Sequence, residues 1–447
     1  MATLEIRGAT LLTMVEGAQP IPDGLIAAEN GTITYAGAAG GYGRTREPDD
    51  VLDASGCVAL PGLVNAHTHC AMTLLRGFAD DMDLKPWLEE MVWPTEMKLT
   101  EEDVYWGVML GSVEMLRGGV TCFNDMYHYA EAGVRGAIDA GIRACPSGVL
   151  LGFLDTAEQM LDRALEFTAG LAKQGHPRIH PMLGPHAPYT CPDHLLRRVV
   201  EGATEQGIAI HIHVAETKHE VDESVAEHGC TPVERLDRIG LFEVPVNAAH
   251  CVWLTDHDID ILAEKGVGVV HCPGSNMKLA SGVCPVPKLL ARGVTVGLGT
   301  DGAASNNNLD LLEEARLAAL VHKLHDLDPK VVNAEQALAL ATRGSAQALG
   351  LEGLIGTLEP GKRADVAIVD LSAPHLAPGH HVISNLVYAA RASDVVHTVV
   401  EGVVVMKDRT MTHLDEEEII GQVRERGRRL ACNAWEGVDR RERLSSA

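Results

Sequence analysis

Eight short apolar runs recur along the middle of this chain, and most of them close on a histidine or an acid. They read GLVNAHTH, GVTCFNDM, RACPSGVL, IHPMLGPH, IAIHIHVAE, VNAAHCV, GVGVVHCP and TVGLGTDG, spread over residues 62 to 302. Stretches of helical character, such as EEDVYWGVMLGSVEMLRG and HDIDILAEKG, lie between them. Apolar runs alternating with helices indicate a parallel α/β fold, and eight such units over this length predict a (β/α)8 TIM barrel. The flanks differ. Residues 1–60 have the texture of short strands and carry Asn30-Gly31, a hairpin signal, between two apolar stretches. After ATRGSAQALG the strand texture returns in GTLEPGKRADVAIVDL and HTVVEGVVVMKD. The expected organisation is a β-sandwich built from residues 1–60 and 358–447 around a barrel of residues 61–357, with a terminal amphipathic helix in EEEIIGQVRERGRRLACNAW.

In a TIM barrel, chemistry sits at the C-terminal ends of the strands. Here His67 and His69 end the first run, His186 follows the fourth, and His213 and Glu216 end the fifth. His250, His271 and Asp301 close the sixth, seventh and eighth. Scattered core histidines have no reason to gather at one end of consecutive strands. Positions i and i+2 of a strand point the same way, so His67 and His69 face a common point, where neutral imidazoles can bind one ion. In HIHVAE, His211 and His213 share a side, and Glu216 lies just beyond the strand end. One of those two histidines is a ligand candidate, with His211 read as its support, and Glu216 is placed to carry protons. Asp301 sits in a glycine-rich turn that admits a close ligand. Imidazoles with one carboxylate suit a single divalent ion: Zn²⁺ first, with Fe²⁺ or Mn²⁺ as alternatives.

The 447 residues carry a net charge of −25, which argues against nucleic acid or an anionic membrane as partner. Ten cysteines without a Cys-x-x-Cys pair read as reduced thiols in a cytoplasmic protein. No signal peptide or membrane span is expected from the apolar pattern.

PGLVNAHTH, HVAET, AAHCV and GTDGAASNN together resemble the amidohydrolase superfamily. More narrowly, TLLRGFADD, WPTE and GPHAPY resemble its 5-methylthioadenosine/S-adenosylhomocysteine deaminases, and the likeness runs on through GKRADVAIVD. The resemblance implies a metal held by His67, His69, His213 and Asp301, with Glu216 as proton shuttle and His250 orienting the attacking water. It also implies that Glu96 of WPTE accepts hydrogen bonds from ribose and that His186 of GPHAPY helps to hold the nucleoside. Hydrolytic deamination at the 6-amino group of an adenosine-type nucleoside would follow. The substrate would be 5′-methylthioadenosine, S-adenosylhomocysteine, adenosine or another 5′-modified adenosine. The family's members are mostly cytoplasmic homo-oligomers. IHPMLGPH has no lysine for a second metal, which favours one ion.

The chain departs from the family pattern in one respect. Arginines near the third strand serve the homocysteine carboxylate in some members, whereas this region offers only Arg143, with Gly148 and Gln159 further on. An uncharged 5′ group is the alternative, and SGVLLGF is either its wall or ordinary core. Trp87 and Trp93 read either as a lid over the base or as loop packing. With four ligand positions filled, His271 reads as structural. His380 and His381 read as surface, and Asn306–Asn308 as a turn. Two other hypotheses compete: the same metal site acting on a free purine, pterin or s-triazine, and a barrel that binds without turnover.

Overall fold

The computed structural model describes residues 2–435, the side chains of 432–435 excepted. The N-terminal strands are β1 (Thr3–Leu11), β2 (Ile21–Glu29), β3 (Thr32–Ala38), β4 (Asp50–Asp53) and β5 (Cys57–Pro61). The turn joining β2 to β3 places Asn30 and Gly31 at φ 48° and 77°, the paired positive values of a type I′ hairpin. Eight further strands follow: β6 (Leu63–Thr68), β7 (Val120–Tyr127), β8 (Arg143–Leu150), β9 (Gly184–Pro185), β10 (Ile210–Val214), β11 (Val246–His250), β12 (Gly268–His271) and β13 (Val296–Leu298). Last come β14 (Val366–Asp370), β15 (Val395–Val400), β16 (Val403–Lys407) and β17 (Thr410–Met411).

The two ends of the chain form one sheet of nine strands, ordered β17-β16-β15-β14-β5-β1-β2-β3, with β4 beside β1. The join is the antiparallel pairing of β14 with β5, from Val366 opposite Pro61 to Asp370 opposite Cys57. Ile6, Leu11, Ile26, Ile33, Val366 and Ile368 fill the core of this sheet.

Strands β6 to β13 run parallel in two halves, β6-β7-β8-β9 and β10-β11-β12-β13. A parallel bridge between Leu183 and Ile210 links the halves at one seam. At the other, the Asn65 side chain accepts from Thr300 N at 3.0 Å and donates to Thr300 Oγ1 at 2.8 Å. Nearly every residue of these strands is buried, because helices cover the outer face and side chains fill the interior. The fourth run is the exception to the regular ladder. Pro181 and Pro185 lack N–H donors, so its pairing is reduced to the short β9 and isolated bridges.

Sequence signals start the helices. Thr100, Thr231 and Thr255 each accept from the N3 backbone N–H, and the acidic N3 side chain returns the bond, before Glu101–Arg117, Pro232–Arg238 and Asp256–Lys265. The terminal helix Glu416–Trp435 buries Ile419, Val423 and Leu430. It docks on helix Glu101–Arg117, where Arg426 and Arg429 reach the buried Asp103. No helix among the described residues is long and apolar enough to cross a membrane.

Candidate metal centre and active site

His67, His69, His213, His250 and Asp301 converge at the C-terminal mouth of the barrel. Their ligand atoms fall into two overlapping groups, His67-His69-His213 and His67-His250-Asp301, each within 4.8 Å of one another. His67 Nε2 lies 3.4 Å from Asp301 Oδ1, and His69 Nε2 lies 3.3 Å from the same oxygen.

The hydrogen-bond partners of these rings fix which nitrogen of each faces the centre. His69 Nδ1 lies 2.6 Å from Met126 O, and His213 Nδ1 lies 2.6 Å from His186 O. A carbonyl only accepts, so both Nδ1 atoms carry hydrogen, and each ring in its neutral form presents a lone pair at Nε2. Those two Nε2 atoms face each other at 3.3 Å. His67 Nε2 is buried with no hydrogen-bond partner. Converging lone pairs with an orphaned buried nitrogen and a carboxylate repel unless a cation lies among them, and three nitrogens with one oxygen suit a divalent ion. The set fits a metal.

The surroundings hold each group in place. His67 Nδ1 meets His211 Nε2 at 2.7 Å, so His211 stands behind His67. Of the two histidines that share a side of the strand, His213 is the one that faces the centre. Asp301 Oδ2 accepts from Ser275 Oγ at 2.6 Å and from Ser305 Oγ at 2.8 Å. Asn276 Oδ1 lies 2.9 Å from His250 Nδ1. Glu314 gathers these loops, accepting from Gly274 N at 3.0 Å and Asn306 Nδ2 at 2.9 Å. His250 and Asp301 both sit at positive φ, 71° and 59°, a sparse region for residues with a side chain.

Burial dominates the electrostatics. It lowers His67 to about 4 and His186 to about 3, and takes His211 and His213 well below the usual histidine value, so these rings stay neutral. Burial acts to raise Asp301, yet the His67 contact and the neighbouring imidazoles hold it well below the carboxylate range. Glu216 is raised, by burial first. His250 is raised despite burial, because the Glu216 and Asp301 carboxylates face it.

A cleft opens over this centre, lined by Trp87, Trp93, Glu96, His186, Glu216 and His250 among others, with no lysine or arginine in its wall. Glu216 Oε2 is 3.8 Å from His250 Nε2, and Glu216 Oε1 accepts from Ser281 Oγ at 3.2 Å. Glu96 is buried with His128 Nε2 3.6 Å from its carboxylate. His186 Nδ1 lies 3.0 Å from Thr190 Oγ1, and its ring packs 4.8 Å from that of His213. Trp93 is half-buried, its ring 5.3 Å from Phe153 and 6.4 Å from His186, while Trp87 is buried deeper in the wall.

Other candidates fall outside the centre. His271 pairs with His322, ring to ring at 5.1 Å. His381 accepts from Ser384 N at the start of a helix, and Asn306 donates to Thr300 O within its turn. Arg143 is fully buried, held by Asp365 at 3.0 Å and Glu401 at 2.6 Å, and does not line the cleft. Ser275, Asn276, Ser305 and His128 were not singled out from sequence. The one signal for the first two is their place in CPGSNM, directly after a barrel strand.

Residues 58–405 match the amidohydrolase family. The 5-methylthioadenosine/S-adenosylhomocysteine deaminase of Pelotomaculum thermopropionicum is 49% identical over 431 residues, 96% of this chain and 99% of that protein. The 5′-deoxyadenosine deaminase of Methanosarcina mazei is 46% identical over 435 residues, 97% of this chain and 99% of the other. A solved adenosine deaminase from Xanthomonas campestris, with bound zinc, superposes at a TM-score of 0.92 and 38% identity, covering 96% of this chain and 98% of that one. A barrel of this topology, histidines and an aspartate gathered at its mouth, and a match over most of its length lead to one conclusion: the chain belongs to the amidohydrolase family.

Proposed function

We propose that this protein is a metal-dependent hydrolase that removes the 6-amino group of adenosine-type nucleosides, yielding the inosine analogue and ammonia. The observation that carries this reading is the pair of opposed Nε2 lone pairs of His69 and His213, set in one cleft with the buried acids Glu216 and Glu96. The three similar proteins described above are each named as a deaminase of adenosine or a derivative of it, which supports the same class.

His67, His69, His213 and Asp301 would hold one divalent ion, zinc being the metal bound in the similar solved structure. When bound, such an ion lowers the pKa of water to roughly 7 and so supplies a nucleophile at neutral pH. Glu216 delivers a proton to a ring nitrogen of the adenine, which makes C6 electrophilic, then takes a proton from the attacking water and passes it to the departing amine. Burial raises its carboxyl pKa, the direction that favours the protonated form. His250 and Asp301 orient the attacking water. Glu96 accepts hydrogen bonds from the ribose hydroxyls, and His186 holds the nucleoside against Trp93. On the resemblance to its family, the protein works in the cytoplasm as a homo-oligomer.

Arg143 is locked away and the cleft at the centre has no cation in its wall, which supports an uncharged 5′ substituent. A homocysteine carboxylate would have to reach Lys85 or Lys218 in the wider cavity that adjoins past Leu88, Trp93 and Tyr189. A panel of 5′-deoxyadenosine, 5′-methylthioadenosine, adenosine, S-adenosylhomocysteine and free purines, followed by ultraviolet absorbance, tests both points. The expected result is conversion to the hypoxanthine chromophore, fastest with uncharged 5′ groups. Turnover confined to free bases, or a preference for S-adenosylhomocysteine, would overturn the respective part.

A further inference from the structure

Directly after β10 the chain makes a turn that puts Ala215 at φ 50°, a left-handed conformation that costs roughly 1–2 kcal/mol for a residue with a side chain. Glu216 follows immediately. Both N–H groups of this turn point at one side chain: Ala215 N donates to Glu220 Oε1 at 3.0 Å and Glu216 N to Glu220 Oε2 at 2.8 Å. From the other side, Ala215 O accepts from Val252 N and Trp253 N, both at 3.0 Å.

We infer that Glu220 is a positioning residue for Glu216, its carboxylate clamping the backbone turn from which the proton-carrying side chain enters the cleft. This rests on the reading of Glu216 given above. An acid in the first turn of a helix usually caps it by bonding the N-cap N–H in contact with water. Glu220 sits in the first turn of helix Lys218–His228, capped by Thr217, yet it reaches past the cap to the two residues upstream and is 5% exposed. Burying a carboxylate is costly unless its oxygens are satisfied, and here both are satisfied by the one turn that must not move. Among the described residues, Glu216's carboxylate, by contrast, has the Ser281 hydroxyl at 3.2 Å and His250 at 3.8 Å as its partners. The backbone is fixed and the carboxyl end stays free to pass a proton.

Steady-state kinetics of metal-loaded Glu220→Gln and Glu220→Ala, alone and combined with Glu216→Gln, test this. Glu220→Gln keeps one acceptor and sets an amide N–H₂ against a backbone N–H. The expected loss in kcat is about tenfold for Gln and about 100-fold for Ala, the scale of a misplaced catalytic group, with KM within about threefold and metal content unchanged. In the Glu216→Gln background the same changes cost nothing further, because the clamp has lost what it positions. Unchanged kcat, a matching rise in KM, or additive losses in the double variants would overturn the inference. Hydrogen exchange at the Ala215 and Glu216 amides reads the clamp without turnover. Faster exchange in either variant supports it, and unaltered exchange overturns it. A parent protein that turns over no nucleoside would instead count against the function proposed above, leaving the exchange result to decide the clamp.

Discussion

At the scale of single residues, Glu96 separates nucleoside from free-base chemistry. If it holds ribose, Glu96→Ala raises KM for nucleosides about tenfold or more and leaves free bases unaffected, since a lost hydrogen bond to a charged group is worth about 1.5–3 kcal/mol. Equal effects on both would count against that role. Buried acids also set a pH dependence. Burial raises Glu220 to about 7 and Glu314 to about 8, against an ordinary 4.5. The native state therefore holds protons that the unfolded chain has released, and stability falls as pH rises through this window. The buried histidines with lowered values act in the opposite sense only below about pH 6.5, where the unfolded rings protonate. Thermal melting between about pH 7 and about pH 8.5 should show a loss on the order of 1 kcal/mol, and Glu314→Gln should remove most of it. A flat profile in the parent would refute this. That His67, His69, Asp301 and one of His211 and His213 would gather at the mouth was legible because period-two alternation and strand ends are local properties, whereas the choice of His213 came from the family resemblance. Ser275, Asn276, Ser305 and Glu220 were not legible, because their importance lies in what they touch across loops.

Among elements, the barrel strands could be read from sequence because burial on both faces makes them continuously apolar, with each run stopping at the mouth. The fourth was the hardest to place, as Pro181 and Pro185 break its ladder to the remnant β9. Arg143 opens β8 and shows what spacing cannot reveal. Its partners Asp365 and Glu401 lie more than two hundred residues away, on the sheet formed by the chain ends. Arg143 therefore ties the barrel to that sheet and has no part in the cleft. Arg143→Ala leaves the buried Asp365 carboxylate without its ion pair, Glu401 keeping Arg363 at 3.0 Å, and should cost about 3–5 kcal/mol, seen as a lower melting temperature, with metal content and substrate preference retained. Loss of metal without loss of stability would contradict this placement.

For the whole molecule, the design separates support from chemistry. The two chain ends join into one sheet through the pairing of β5 with β14, whereas the reactive side chains gather at the mouth of the barrel. That the two ends would meet was legible in their shared strand texture, but their pairing order was not, since antiparallel register depends on contacts remote in sequence. The central claim is that a single ion among His67, His69, His213 and Asp301 makes the protein a deaminase. The most direct measurement is a titration of metal-stripped protein with zinc, following bound metal and ammonia released from 5′-deoxyadenosine together. Release that climbs in proportion to bound metal and levels off at one ion per chain, with neither metal nor ammonia in His213→Ala, is the predicted result. Full turnover by the stripped protein, or one ion bound per chain with no ammonia, would contradict it.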